Sequence, residues 1–316
     1  MQSLSIEQLK VIFTRAGLGE ITTIRKIDIG FSNDVYAIDE RYMLKIGKSV
    51  EDDERLQRDA FLCNLLQKTV PAPRIIVADG SKAIVERFYF IYERIPGENL
   101  YSIWHLLDDA ARRECIRQIC TMLKAINHTP YAEFAARFHI DLMQSWQQRV
   151  YARIAGYLAA ISDRQTLSPE IIAQTRRFLD QHAGVLLEAC LGLTYFDPHF
   201  DNFLVSGSRI IGMLDFERIE IASIDYVLDM VTRMAQRPHK YASEATEPFV
   251  RTVDYAMLLP WYREFYPELF VFADLEIRLS IYAIEASLQE LYYSPSSREA
   301  RDELVRSVNV AQELEL

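Results

Sequence analysis

Three oxygen-bearing side chains stand close together in the second half of this 316-residue chain: Asp197, Asn202 five positions later, and Asp215 within Met213-Leu214-Asp215-Phe216-Glu217. Short aliphatic and β-branched runs flank each of them. Phosphoryl transfer asks little covalent chemistry of a protein. It needs one carboxylate to orient the attacking hydroxyl, and oxygen ligands for a magnesium ion that neutralises charge on the phosphates. Asp, Asn and Asp supply that set, so Asp197 is the candidate to orient or deprotonate an acceptor, and Asn202 and Asp215 are the candidate metal ligands. The alternative for Asp197, a loop-capping carboxylate, leaves its two companions unexplained.

The protein-kinase signature has the same five-residue step in H-R-D-L-x-x-x-N, followed by D-F-G. Here Tyr195-Phe196-Asp197-Pro198-His199-Phe200-Asp201-Asn202 keeps the step without the Arg, Asp215-Phe216-Glu217 replaces D-F-G, and no A-P-E segment follows, which argues against a protein kinase. The loop instead resembles that of the aminoglycoside phosphotransferase and choline kinase group of small-molecule kinases, H-G-D-x-H-x-x-N followed by I-D-F or I-D-W. Asp197, His199, Asn202 and Asp215 match it one for one. Ile221-Ala222-Ser223-Ile224-Asp225-Tyr226-Val227-Leu228-Asp229 is similar to the family's G-D-P-x-x-D-L-A, Ile91 to Glu98 to its interlobe hinge, and Val70-Pro71-Ala72-Pro73-Arg74 to its V-P-x-P segment before the fourth strand. The resemblance spans residues 25 to 235.

It implies an α+β, two-lobed protein-kinase-like fold: an antiparallel-sheet N-lobe over residues 1–96 that binds nucleotide, and a mainly helical C-lobe over 97–316 that carries catalysis and the substrate. The implied cofactors are Mg2+ and ATP or GTP. Lys45, between apolar residues, reads from its pattern alone as an exposed strand lysine; its place after the first turn and before the helix bearing Asp59 makes it the family's phosphate-binding lysine. Asp59 stands where the family has Glu, so either the helix sits closer or the pair is looser. Ser32, in Gly30-Phe31-Ser32-Asn33, matches the family's G-x-S-N phosphate cover. Glu93 and Ile95 would offer backbone carbonyl and amide to a purine, with Tyr92 at the gatekeeper place, where a bulky ring could favour guanine. Tyr195 and Phe196 replace the usual His and Gly. His199 is expected to brace the loop, and Asp225 and Asp229 either brace it or contact substrate.

The implied activity is an ATP- or GTP-dependent O-phosphotransferase acting on a small hydroxylated acceptor. An aminoglycoside, and with it antibiotic resistance, is one branch. A metabolite of choline, homoserine, sugar or methylthioribose type is another, and a catalytically silent nucleotide-binding module a third.

Forty-five acidic residues against thirty-five basic ones give a net charge of −10, which disfavours nucleic acid and anionic membranes as partners and suits a cationic acceptor. Glu217, Glu220, Glu276, Glu285 and Glu290 are the candidate carboxylates for such an acceptor. A secretory signal and a membrane span are both missing from the pattern, so a cytoplasmic protein is expected. Cys63, Cys115, Cys120 and Cys190 show no C-x-x-C pair and read as reduced core thiols.

The positioning elements follow from periodicity. A helix runs from Ser5 to Gly17, strands over 21–29, 34–39 and 41–46, a helix over 51–68, and two strands over 83–95. Helical spacing then covers Leu106 to Asn127, Phe134 to Ser162 and Pro169 to Cys190, before a hairpin over 193–216 and an aromatic-rich tail that reads as helix packing.

Overall fold

The computed structural model describes residues 4–27 and 33–314, with side chains to 310. One lobe is built from α1 (Ile6–Arg15) and the antiparallel strands β1 (Ile24–Ile27), β2 (Asn33–Ile38), β3 (Tyr42–Gly47), β4 (Ile75–Asp79) and β5 (Tyr89–Glu93), in the order β1-β2-β3-β5-β4. α1 starts where Ser5 and Gln8 satisfy each other's backbone amides, at 3.1 and 2.9 Å. Side chains alternate across a strand, so Leu44 and Ile46 pack towards Leu9, Ile12 and Phe13 of α1 while Lys45 turns to the opposite face. There α2 (Asp53–Leu66) lays Leu56 and Ala60 on Phe88, Phe90 and Tyr92. β3 pairs with β2 on one side and β5 on the other, so Lys45 is buried in mid-sheet rather than exposed at an edge.

The other lobe is mainly helical. β6 (Glu98–Asn99), α3 (Leu100–Ile103), α4 (Asp109–Asn127), α5 (Ala132–Arg137), α6 (Trp146–Asp163) and α7 (Pro169–Gln181) precede four strands, β7 (Leu191–Tyr195), β8 (Phe203–Ser206), β9 (Arg209–Met213) and β10 (Ile219–Ser223). α8 (Val227–Gln236), α9 (Leu258–Phe265), α10 (Leu275–Tyr293) and α11 (Arg298–Leu314) complete it. α4, α8 and α9 share one core with β7 to β10, and α6, α7, α10 and α11 share a second.

Four expectations need correction. Residues 83–95 hold one strand, β5, rather than two, because Ile84 and Val85 join the α1-side core from a loop; the fourth strand, Ile75–Asp79, follows the Val70–Arg74 segment as expected. The helical pattern from Phe134 to Ser162 breaks at 138–145, where Ser145 and Gln148 form a second capping box at 3.2 and 2.8 Å and begin α6 anew. The single hairpin over 193–216 is two nested pairs, β8 with β9 inside β7 with β10. Cys190 is exposed, because α7 ends at Gln181 and leaves it in the connection to β7. In the aromatic tail Trp261, Tyr262 and Tyr266 are buried in the α4 core and Tyr282 in the second core. No helix among the described residues is long and apolar enough to cross a membrane.

Candidate active site

β7 and β10 pair Tyr195 with Ile219, so the residues between them leave the same end of one two-stranded ladder. Tyr195, almost wholly buried, donates its hydroxyl to the Leu214 carbonyl at 3.1 Å. The Leu214 amide donates to the Asn202 carbonyl at 2.8 Å, and the Asn202 side-chain amide donates to the Asp197 carbonyl at 3.1 Å. This relay ties the segments of Asp197, Asn202 and Asp215 together. His199 sits between the rings of Tyr101 and Tyr241, at 5.3 and 5.5 Å, as a bracing residue does.

Asp215 is in the left-handed region, φ 63° and ψ 52°. Aspartate tolerates that conformation better than most residues, yet it still costs on the order of 1 kcal/mol. The bend presents its carboxylate to Lys45, with Oδ1 to Nζ at 2.5 Å. Lys45 Nζ also meets Asp59 Oδ2 at 2.7 Å and Glu217 Oε2 at 3.5 Å, so one ammonium faces three carboxylates. The other Asp59 oxygen accepts from the Phe216 amide at 3.1 Å. Helix α2 therefore lies against the Asp215 segment, and the shorter aspartate does not loosen the pair.

These charges set one another's protonation. Burial opposes the charge on Lys45, but Asp215, Asp59 and Glu217 outweigh it and hold the ammonium well above its ordinary range. Burial pushes Asp59 up to about 6 against the pull of Lys45. Asp215 is also buried, yet Lys45 holds it below the usual carboxylate range. Burial raises Asp197, partly offset by the positive charges of His199, Arg218 and Arg233.

Asp59, Asp215 and Glu217 each bring an oxygen within 4.8 Å of the others, a possible cation cluster. Both Asp59 oxygens are already engaged by Lys45 and Phe216, so this group is better read as the counter-charge of Lys45. Asn202 and Asp215 offer the amide and carboxylate oxygens that a hard divalent ion takes, on segments held in register by the Leu214 amide. That chemistry fits magnesium.

At the connection between lobes, the Glu93 amide donates to the Arg74 carbonyl at 3.1 Å and its carboxylate pairs outward with Arg74 Nε at 2.7 Å. Ile95 packs over Gly212, where a Cβ would lie 3.0 Å from Ile95 Cδ1. Tyr92 is buried on the Lys45 face beside Phe90, the ring centroids 5.7 Å apart. Ser32 lies outside the described residues.

Two residues escaped sequence reasoning. Glu217, read there as an acceptor-side acid, is buried in the Lys45 cluster, accepts from Asn33 Nδ2 at 2.9 Å and lies 3.5 Å from Arg55. Arg218 is the other: its charge acts on both Asp197 and Asp215, while among the described residues no carboxylate pairs with it. Its position three residues after Asp215 was the available signal. Three of the remaining acids are committed elsewhere, Glu220 and Glu285 to Arg153 and Glu290 to Lys240 at 2.6 Å, and Glu276 is exposed at the start of α10. Asp225, fully buried, holds Arg278 through two bonds of 2.8 and 2.9 Å, and Asp229 holds Arg233 at 2.5 Å. Both aspartates are engaged by arginines within the chain.

A sequence profile of the phosphotransferase enzyme family, APH, matches residues 23–227, well over half of the chain. The chain belongs to the phosphotransferase enzyme family. No curated protein sequence matches it. Its fold is that of solved phosphotransferases. It is similar to a gentamicin complex of APH(2")-IIa, at 16% identity and TM-score 0.70 over 98% of this chain and 97% of that one. An ADP-bound aminoglycoside phosphotransferase, APH(2'')-Ib, aligns at 17% identity and TM-score 0.66 over 97% and 96%. The GDP complex of an aminoglycoside 2'-phosphotransferase-IIIa aligns at 14% identity and TM-score 0.65 over 99% and 100%. Against the family's loop pattern, the Tyr195 hydroxyl supplies a link to the Leu214–Asp215 segment from the position usually held by His.

Proposed function

We propose that this phosphotransferase moves the γ-phosphoryl group of ATP or GTP to a hydroxyl of a small molecule. The observation that supports it most is the Lys45 ammonium bonded to both Asp59 and Asp215, with Asp197 and Asn202 tied to the Asp215 segment by the Tyr195 and Leu214 relay. Lys45, with Asp59 as its partner, binds the α- and β-phosphates; Glu93 and Ile95 meet the purine through their backbone, and Ser32 covers the phosphates. Asn202 and Asp215 would hold magnesium, which supplies charge neutralisation on the phosphate oxygens. Asp197 accepts the acceptor's hydroxyl proton as the oxygen attacks the γ-phosphorus, and the bond to the β-phosphate oxygen breaks to release the nucleoside diphosphate. A carboxyl raised by burial suits a proton acceptor better than an ordinary aspartate does. The Arg218 guanidinium, whose charge acts on both aspartates and which has no carboxylate partner among the described residues, is available to the charge on the transferring group.

The test is a panel of hydroxyl acceptors offered with ATP and GTP in parallel, following nucleoside diphosphate release and product mass. An aminoglycoside belongs in the panel because a structurally similar protein carries gentamicin. Transfer that disappears in Asp197→Asn is expected. Nucleotide binding with no hydrolysis or transfer under any condition would instead indicate a silent module.

A further inference from the structure

We infer that Glu217 is a positioning residue for the transfer reaction: through its bond to Asn33 it holds the start of β2, and with it the lysine-bearing face of the sheet, against the Asp215 segment in the arrangement that binds nucleotide. This rests on the phosphotransferase reading above. In the β2–β3 ladder Val35 stands opposite Lys45, and Asn33 comes two residues before Val35, so Asn33 and Lys45 share one face of the sheet. Asn33 also opens β2 directly after Ser32 in the chain. Glu217 approaches from the other lobe, two residues after the left-handed bend at Asp215. Its side chain is only 2% exposed. Among the described residues the partners of its carboxylate are Asn33 on β2, Lys45 on β3 and Arg55 on α2, all in the sheet lobe.

Distances rank these three contacts. Lys45 Nζ is 3.5 Å from Glu217 Oε2 and has closer partners in Asp215 and Asp59, at 2.5 and 2.7 Å. Arg55 Nε is likewise 3.5 Å from Oε1, and its guanidinium meets Asp52 at 2.7 Å. Asn33 Nδ2, at 2.9 Å, makes the one contact of good hydrogen-bond length. An amide donating to an ionised carboxylate is among the stronger hydrogen bonds, and with both groups buried neither is readily left without the other. The bond also orients the amide, since the reversed amide would set its oxygen against the carboxylate. Asp59 makes a parallel link from α2, accepting from the Phe216 amide at 3.1 Å. The helix and the strand that adjoin Lys45 are thus both bonded to the two residues that follow Asp215. Both Glu217 oxygens are turned to groups of the sheet lobe, which sets this carboxylate apart from those of the proposed metal pair.

The experiment is a double-mutant cycle in the full chain: Asn33→Ala, Glu217→Ala and the two together, with ATP and GTP affinity measured by calorimetry, with and without magnesium, beside steady-state kinetics. Asn33→Ala is expected to raise the nucleotide Kd and KM by about tenfold, the loss of one charge-assisted hydrogen bond, while kcat changes by less than about threefold. Glu217→Ala should do the same. The double variant should bind nucleotide no more weakly than Glu217→Ala alone, because the two substitutions remove one bond. Glu217→Gln keeps an oxygen for Asn33, so its nucleotide affinity should lie within about threefold of the wild type and its magnesium requirement should stay in place. Unaltered nucleotide affinity in Asn33→Ala overturns the inference, and so do losses that add in the double variant. A magnesium requirement that rises steeply in Glu217→Gln overturns it as well and makes the carboxylate a metal ligand. Where Glu217→Ala does not fold, Asn33→Ala and Glu217→Gln decide between the same outcomes. A wild-type chain that binds neither nucleotide counts instead against the phosphotransferase reading itself.

Discussion

Asp215 and Asp225 are ten residues apart and both bind a cation, yet they are built in opposite ways. Asp215 sits on a left-handed bend and shares one lysine with Asp59 and Glu217. Asp225 has Arg278 to itself through two bonds, with Ser223 and Tyr282 hydroxyls added and no exposed surface. Arg278 in turn donates to the carbonyls of Val185 and Glu188, at 2.7 and 2.9 Å. The first arrangement sets three carboxylates around one ammonium, with Arg55 at 3.5 Å from one of them. The second is closed. A carboxylate waiting for a ligand is under-compensated and held at a conformational cost, whereas one that holds the fold is saturated.

The comparison breaks most visibly at the first site. Asp215→Ala and Asp197→Asn should each lower magnesium-dependent turnover by about 10³-fold, within the range for removing such groups, while thermal melting moves by no more than a few degrees. Turnover unchanged in either variant would remove that residue from the mechanism. At the saturated site the expectation reverses. Arg278→Ala leaves Asp225 buried without its partner and should reduce stability by about 3–5 kcal/mol in a denaturant melt, with kcat of the folded fraction changed only a few-fold. A well-folded Arg278→Ala protein without activity would mean that the two aspartates are not as distinct as their geometry.

pH sharpens the contrast further. On the proposed mechanism Asp197 must be ionised to accept a proton, and burial raises its pKa, so activity should fall as pH drops through a value above the ordinary aspartate range. Arg218 favours the ionised form; Arg218→Met should therefore move the ascending limb of kcat/KM to higher pH. A limb that stays in place would assign the titration to another group. The smallest effect is expected at Tyr195→Phe, which deletes the bond to the Leu214 carbonyl and should reduce stability by about 1 kcal/mol in the same melt.

Much of this was readable from the chain because the site is local. The step from Asp197 to Asn202 and the strand-to-helix order of Lys45 and Asp59 are short-range patterns, and each pattern carries its own geometry. Glu217 was misassigned because its partners, Asn33 and Lys45, lie on strands nearly the whole lobe away in sequence, and nothing nearby distinguishes a buried acid from a solvated one. The pairing of Asp225 with Arg278 was hidden for the same reason. The break before α6 was missed because apolar spacing continues through it; residues 138–145, with His139 at φ 51°, leave the helix before Ser145 caps the next one, and a serine inside a periodic run is ambiguous.

One contact made by two glycines has a mechanical consequence. Gly97 and Gly212 let the strand-to-strand connection lie flat on the β8–β9 hairpin, where a Cβ on Gly97 would come within 2.9 Å of Ile211. β6 then pairs with β8, and Asn99 Nδ2 grips the Asp201 carbonyl at 2.9 Å, one residue before Asn202. The connection between the two lobes is thus pinned to the very ribbon that leads from Asn202 to Asp215. A displacement of that connection would be carried along the ribbon and would re-aim the side-chain oxygens of Asn202 and Asp215 together.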